Sequence, residues 1–111
     1  MPEASASARI VLTTTADADE AGRIARTLVE ERLAACASLF PSAQSIYRWQ
    51  GEIETATETL LLIKTAAEQL AALELRLKAL HSYQTPEFLV LSVESGSREY
   101  LGWLHASLKH P

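Results

Sequence analysis

The chain is poor in the residues that would commit it to several protein classes. It holds one cysteine, Cys36, in 111 residues. A lone cysteine excludes an internal disulfide and has no CxxC partner for a metal or redox motif. It fits a reducing compartment. No apolar run approaches the roughly 18 residues of a membrane-spanning helix, so no membrane partner is expected. Met1 to Ala8 is small and polar, includes Glu3, and lacks the basic start and apolar centre of a signal peptide. The expected location is therefore cytoplasmic. Basic excess is also missing, with 10 Lys and Arg against 14 Asp and Glu and a formal net charge of -4. Such a surface offers no general attraction for phosphate backbones, so no nucleic-acid partner is expected. There is no glycine-rich phosphate loop, no G-x-S-x-G elbow and no metal-ligand pair on a helix. Helix faces and caps account for most of the acidic residues. The chain is expected not to be an enzyme.

What is present reads as one α+β domain. Residues 1–8 form a flexible tail, and 9–111 a single domain of ordinary size. Arg9 to Thr15 is β-branched and reads as a strand. Asp17 caps a helix over roughly 18–32, with Glu20 placed to reach back in a capping box. Ala34 to Trp49 is a second strand, interrupted at Pro41-Ser42 by an edge or bulge. Gln50-Gly51 makes a tight turn, and Glu52 to Thr65 returns as a third strand. Thr65 caps the next helix with Glu68 at the third position. Ala66, Leu70, Leu73, Leu77 and Leu80 then recur at helical spacing. His81 to Pro86 is a loop, since Pro86 pushes Thr85 out of the helical region. Glu87 to Glu94 is the last strand, and Ser97 caps a final helix. The order β-α-β-β-α-β is the ferredoxin-like pattern, with an extra C-terminal helix.

The strands are apolar at both parities: Ile10-Val11-Leu12, Leu60-Leu61-Leu62-Ile63 and Phe88-Leu89-Val90-Leu91. Successive strand residues point to opposite faces. Two helices cover one face, and the other would alternate to polar residues if it met water. It does not, so a homo-oligomer is expected, with the long hairpin offering further free edges.

Four blocks carry a family resemblance: Glu31-Arg32-Leu33-Ala34-Ala35-Cys36-Ala37, Ser45 to Ile53, Ile63-Lys64-Thr65, and Tyr83-Gln84-Thr85-Pro86-Glu87. In this order and spacing they resemble the CutA family of divalent-cation tolerance proteins, over residues 9–108. The resemblance implies a homotrimer of ferredoxin-like subunits whose hairpins wrap their neighbours. It also implies an architecture similar to the PII signalling proteins, which bind small effectors between subunits. It further implies a link to copper tolerance and copper binding.

The candidate sites follow from that frame. Some family members carry a cysteine at the end of the first strand and a His pair before the Tyr-Gln-Thr-Pro block. Here Thr13 and Leu80 stand at two of those positions, and His81 alone remains as a candidate ligand for a divalent metal such as copper. His81 otherwise simply ends the second helix, where a cationic imidazole favours the dipole. His105 and His110 are expected to be solvated, and Cys36 to be a small buried hydrophobe. Trp49, Lys64, Tyr83, Gln84, Thr85 and Glu87 form the candidate ligand cleft. In one reading Lys64 is the cation for a small anionic ligand and Glu87 an acceptor. In the other, Lys64 and Glu87 are a structural ion pair, and Tyr83 and Trp49 fill the subunit interface. The functional expectation is a non-catalytic binding or regulatory module for metal tolerance. The alternative is a PII-like sensor of a small anion.

Overall fold

The computed structural model describes residues 7–110. Its elements run β1 (Ala8–Thr15), α1 (Ala18–Glu30), β2 (Cys36–Trp49), β3 (Glu52–Ala66), a 3-10 turn (Ala67–Gln69), α2 (Leu70–Leu80), β4 (Leu89–Ser92) and α3 (Arg98–Ala106). The four strands form one antiparallel sheet in the order β2-β3-β1-β4. This is the expected ferredoxin-like fold. Ala8, assigned to the tail from the sequence, belongs to β1 and is buried. Residues 1–6 of the tail lie outside the described residues.

Register fixes which residues share a face. Val11 lies between Ile63 and Val90, and Leu12 between Leu62 and Leu89. Val11, Leu61 and Ile63 point to α1 and α2, where Ile24, Leu28, Leu73 and Leu77 meet them in one buried cluster. Fully burying each such side chain is worth about 1.5–3 kcal/mol. The opposite parity carries Ile10, Leu12, Leu60 and Leu62, half-buried, with Phe40, Leu89 and Leu91 exposed. Apolar residues therefore do occupy the second face. Among the described residues only α3 covers part of it, packing Leu104 and Leu108 on Ala35 and Ala66 at one end.

Local chemistry explains most boundaries and corrects the others. The Asp17 side chain accepts the Glu20 N–H at 2.8 Å and starts α1. Glu20 does not close a capping box, because its carboxylate turns to Ser82 instead. Helix α1 ends at Glu30 rather than 32. Arg32 takes φ 60° and the Leu33 N–H bonds back to the Leu28 carbonyl, which turns the chain into the core. β2 is an edge strand, so Pro41 costs no ladder bond, and the register shifts between Phe40 and Ala43 as a bulge. Gln50 and Gly51 both have positive φ, the requirement of a two-residue primed hairpin turn.

Thr65 is not a helix cap. It stays in β3, fully buried, and its hydroxyl donates to the Leu33 carbonyl at 2.7 Å. A buried tertiary acceptor outcompetes the local cap, and α2 starts through the 3-10 turn without a side-chain cap. β4 is also shorter than expected. It pairs only over Leu89–Ser92, leaving Glu87 in the preceding loop. α3 begins as expected, with Ser97 accepting the Tyr100 N–H at 3.1 Å.

β1 ends opposite Thr59, so the β2–β3 hairpin from Ala43 to Glu58 runs on alone, and the molecule measures 49 × 25 × 22 Å. The open face of that overhang meets the loop after α2.

Candidate functional site

The 81–87 loop is held from beneath by buried polar groups. The His81 side chain is fully buried. Its Nδ1 accepts the Tyr83 N–H at 3.1 Å, which puts the ring proton on Nε2, and that N–H donates to the Thr14 carbonyl at 2.8 Å. Both ring nitrogens are therefore committed. A metal ion could bind His81 only by breaking one of these bonds. His81 is thus a structural anchor, and the sequence-based assignment of it as a metal ligand is not supported by this geometry. Its Nδ1 lies 3.6 Å from Glu20 Oε2. Glu20, 5% exposed, accepts the Ser82 N–H at 2.8 Å and the Ser82 hydroxyl at 2.9 Å. Burial works to raise the Glu20 pKa, but the hydrogen bonds from the Ser82 N–H and hydroxyl outweigh it and hold the carboxyl below its ordinary value.

This base sets Tyr83. Its ring lies 4.9 Å from that of His81, and its hydroxyl donates to Glu58 Oε2 at 2.7 Å. Burial first, and then the Glu58 carboxylate, raise the phenol pKa well above its ordinary value. Tyr83 is thereby kept as a donor. A cleft of about 820 Å³ opens beside it, between the loop and the overhanging hairpin.

Of the six residues expected there, Trp49, Tyr83, Thr85 and Glu87 line the cleft. Gln84 is exposed and does not. Lys64 is elsewhere: its ammonium donates to the Tyr100 hydroxyl at 3.1 Å on α3. That hydrogen bond, against the opposing effect of burial, raises its pKa. Six residues of extended β3 separate Lys64 from Glu58, roughly 20 Å. Among the described residues of the single chain, Lys64 therefore forms no pair with Glu87 and stands apart from the cleft. The physical reason is register, which pairs Lys64 with Ile10 and Cys36 at the α3 end of the sheet.

Sequence reasoning missed Tyr47 and Glu58, which also line the cleft. The signal was strand alternation. Tyr47 shares a face with Trp49, and Glu58 continues the parity of Leu60 and Leu62. Glu20 was missed as a loop support because its capping-box position explained it locally. Cys36 is half-buried with a free thiol, opposite Lys64.

Among the described residues, the charged groups lining the cleft are Glu58 and Glu87, and no Lys, Arg or His joins them. Among the described residues no group of three or more His, Cys, Asp or Glu is arranged to hold a metal ion. No described helix is long and apolar enough to cross a membrane.

Comparison with known proteins agrees with this architecture. Residues 9–107 match the family described as CutA1 divalent ion tolerance protein. The divalent-cation tolerance protein CutA of Thermus thermophilus is 50% identical over 95 residues, covering 86% of this chain and 92% of its own. The solved structure of the Cut A1 divalent cation tolerance protein from the same organism superposes with a TM-score of 0.90 at 46% identity, covering 92% of this chain and 99% of that one. A structure described as the periplasmic divalent cation tolerance protein CutA from Archaeoglobus fulgidus gives 0.88 at 37% identity, covering 92% and 99%. The chain belongs to the CutA divalent-cation tolerance family.

Proposed function

We propose that this chain serves divalent-cation tolerance as a non-catalytic, self-assembled binding module whose ligand site is the cleft beside Tyr83. One observation carries the choice of ligand: the charged groups lining that cleft are two carboxylates, Glu58 and Glu87, set among Tyr47, Trp49 and Tyr83. Carboxylates and aromatic faces together favour a cation. Two carboxylates make an incomplete coordination shell, so a divalent ion bound here keeps several of its waters. Copper specificity has no support in this cleft, which offers hard oxygen donors and no thiolate or imidazole. The alternative reading, a sensor for a small anion, is disfavoured because Lys64 bonds to Tyr100 instead.

Self-assembly through the open sheet face would fit the same reading. The open sheet face joins directly to the cleft, so a second copy lying on Leu12, Leu62 and Leu89 would also wall in the ligand site. Three subunits is the number that the family resemblance supplies. The unpaired Cys36 supports a reducing compartment, the cytoplasm.

Manganese provides the test, since its unpaired electrons broaden nearby proton resonances. Titrating Mn²⁺ into the full chain should broaden the Trp49 indole and Tyr83 ring signals first. Glu58→Gln and Glu87→Gln should each reduce that broadening severalfold. Signals from Trp49 and Tyr83 that stay sharp, or equal broadening in both variants, would remove the cleft from the account.

A further inference from the structure

The C-terminal end of α3 holds a second feature, unlike the cleft in its chemistry. His105 lies in the last turn of α3, and His110 follows in the trailing segment. Their ring centroids are 4.8 Å apart with planes inclined by 49°. Both residues are exposed. Two imidazoles ligating one ion, each at about 2.0–2.1 Å, place their centroids roughly 4.5–5.2 Å apart for cis-planar to tetrahedral angles. The observed spacing falls inside that range.

The hydrogen bonds are also suited to ligation. His110 Nε2 lies 2.8 Å from the His105 carbonyl, so its proton sits on Nε2 and the Nδ1 lone pair is left for an ion. A ring N–H donated to a backbone carbonyl is the usual support of a metal-bound histidine. No hydrogen bond holds either ring nitrogen of His105 among the described residues. The trailing segment is not loose. Leu108 is buried, the Lys109 N–H bonds to the Arg32 carbonyl at 2.9 Å, and Gln69 Nε2 donates to the Lys109 carbonyl at 2.6 Å. The ordering entropy that a flexible tail would lose on binding is therefore already lost on folding. Lys109 lines a separate groove with Glu31 and Arg76, which neither histidine lines. The last turn of a helix adds a favourable potential for a cation.

We infer that His105 and His110 form a two-imidazole site for a divalent transition-metal ion, Cu²⁺ most strongly and Zn²⁺ less so. Water completes the coordination. The site does not rest on the cleft, and it supplies the nitrogen ligands that His81, with both nitrogens committed, does not.

The test titrates Zn²⁺ into the full chain, following the histidine ring resonances, and measures Cu²⁺ binding by calorimetry. His105 and His110 rings should shift together, with His81 unmoved, at one ion per chain. His105→Gln and His110→Gln should each weaken Cu²⁺ binding by about tenfold or more. Both positions are exposed, so both variants should fold. Glu58→Gln and Glu87→Gln should leave this binding unchanged, which separates its failure from that of the cleft. Unchanged affinity in either histidine variant, or a Zn²⁺ response at His81 instead, would overturn the site and leave a stacked pair of solvated rings.

Discussion

Thr13 shows how one atom can carry a measurable cost. Its side chain is fully buried beside Leu61, and its hydroxyl has no hydrogen-bond partner among the described residues. An unsatisfied buried hydroxyl costs about 1–3 kcal/mol. Thr13→Val keeps the shape and removes that cost. It should raise the urea unfolding free energy by about 1 kcal/mol at fixed protein concentration. Glu20 makes the opposite case, a buried charge that is well satisfied. Its folded pKa lies below the ordinary value of 4.5, so the fold favours the ionised form. The stability this contributes is present above about pH 4.5 and is lost as pH falls through the lowered folded value. Unfolding free energy should therefore decline on acidification below that point. Glu20→Gln should start lower at neutral pH and show a shallower decline, read from denaturation curves between about pH 7 and 3.

At the scale of elements, the hairpin depends on its turn. Gly51 sits at φ 84°, where a side chain is strained whatever the space around it. Gly51→Ala should cost about 1–2 kcal/mol, and by shifting the arms it should move Tyr47 and Trp49 away from Tyr83. Chemical-shift changes at Tyr83, distant in sequence, would report that coupling. Unaltered shifts would show that the turn does not set how Tyr47 and Trp49 lie against Tyr83. Loop 81–87 behaves differently. Its shape comes largely from α1 and β1, through Glu20 and Thr14, with one bond of its own from the Tyr83 N–H to His81.

The sheet as a whole separates two kinds of leucine. Leu61 is fully buried inside the chain, whereas Leu89 is 56% exposed on the open face. An unpaired carboxylate in place of Leu61 has no escape to water and should unfold the chain, lost as a cooperative transition in circular dichroism. In place of Leu89 it reaches solvent in the single chain, and in the proposed assembly it would be buried. Leu89→Asp should leave the secondary structure intact and convert the oligomer to monomers in analytical ultracentrifugation. An intact oligomer for Leu89→Asp would mean that another surface holds the copies together.

Local patterns were enough to determine the order of elements, the bulge at Pro41-Ser42, the turn at Gln50-Gly51, the Asp17 and Ser97 caps and the apolar character of both sheet faces. Each of these depends on residues within a few positions of one another, where sterics and alternation act directly. Tertiary structure decided the rest. It drew Thr65 from a cap into β3, turned Glu20 from a capping box to Ser82, and occupied both nitrogens of His81. It also carried Lys64 to Tyr100 and brought Glu58 to Tyr83 in its place. For Thr65, Glu20 and His81 a buried polar group had to find a partner, and each found one distant in sequence. Strand register, set by the burial of Val11, Leu61 and Ile63 against the helices, decided which distant groups were within reach.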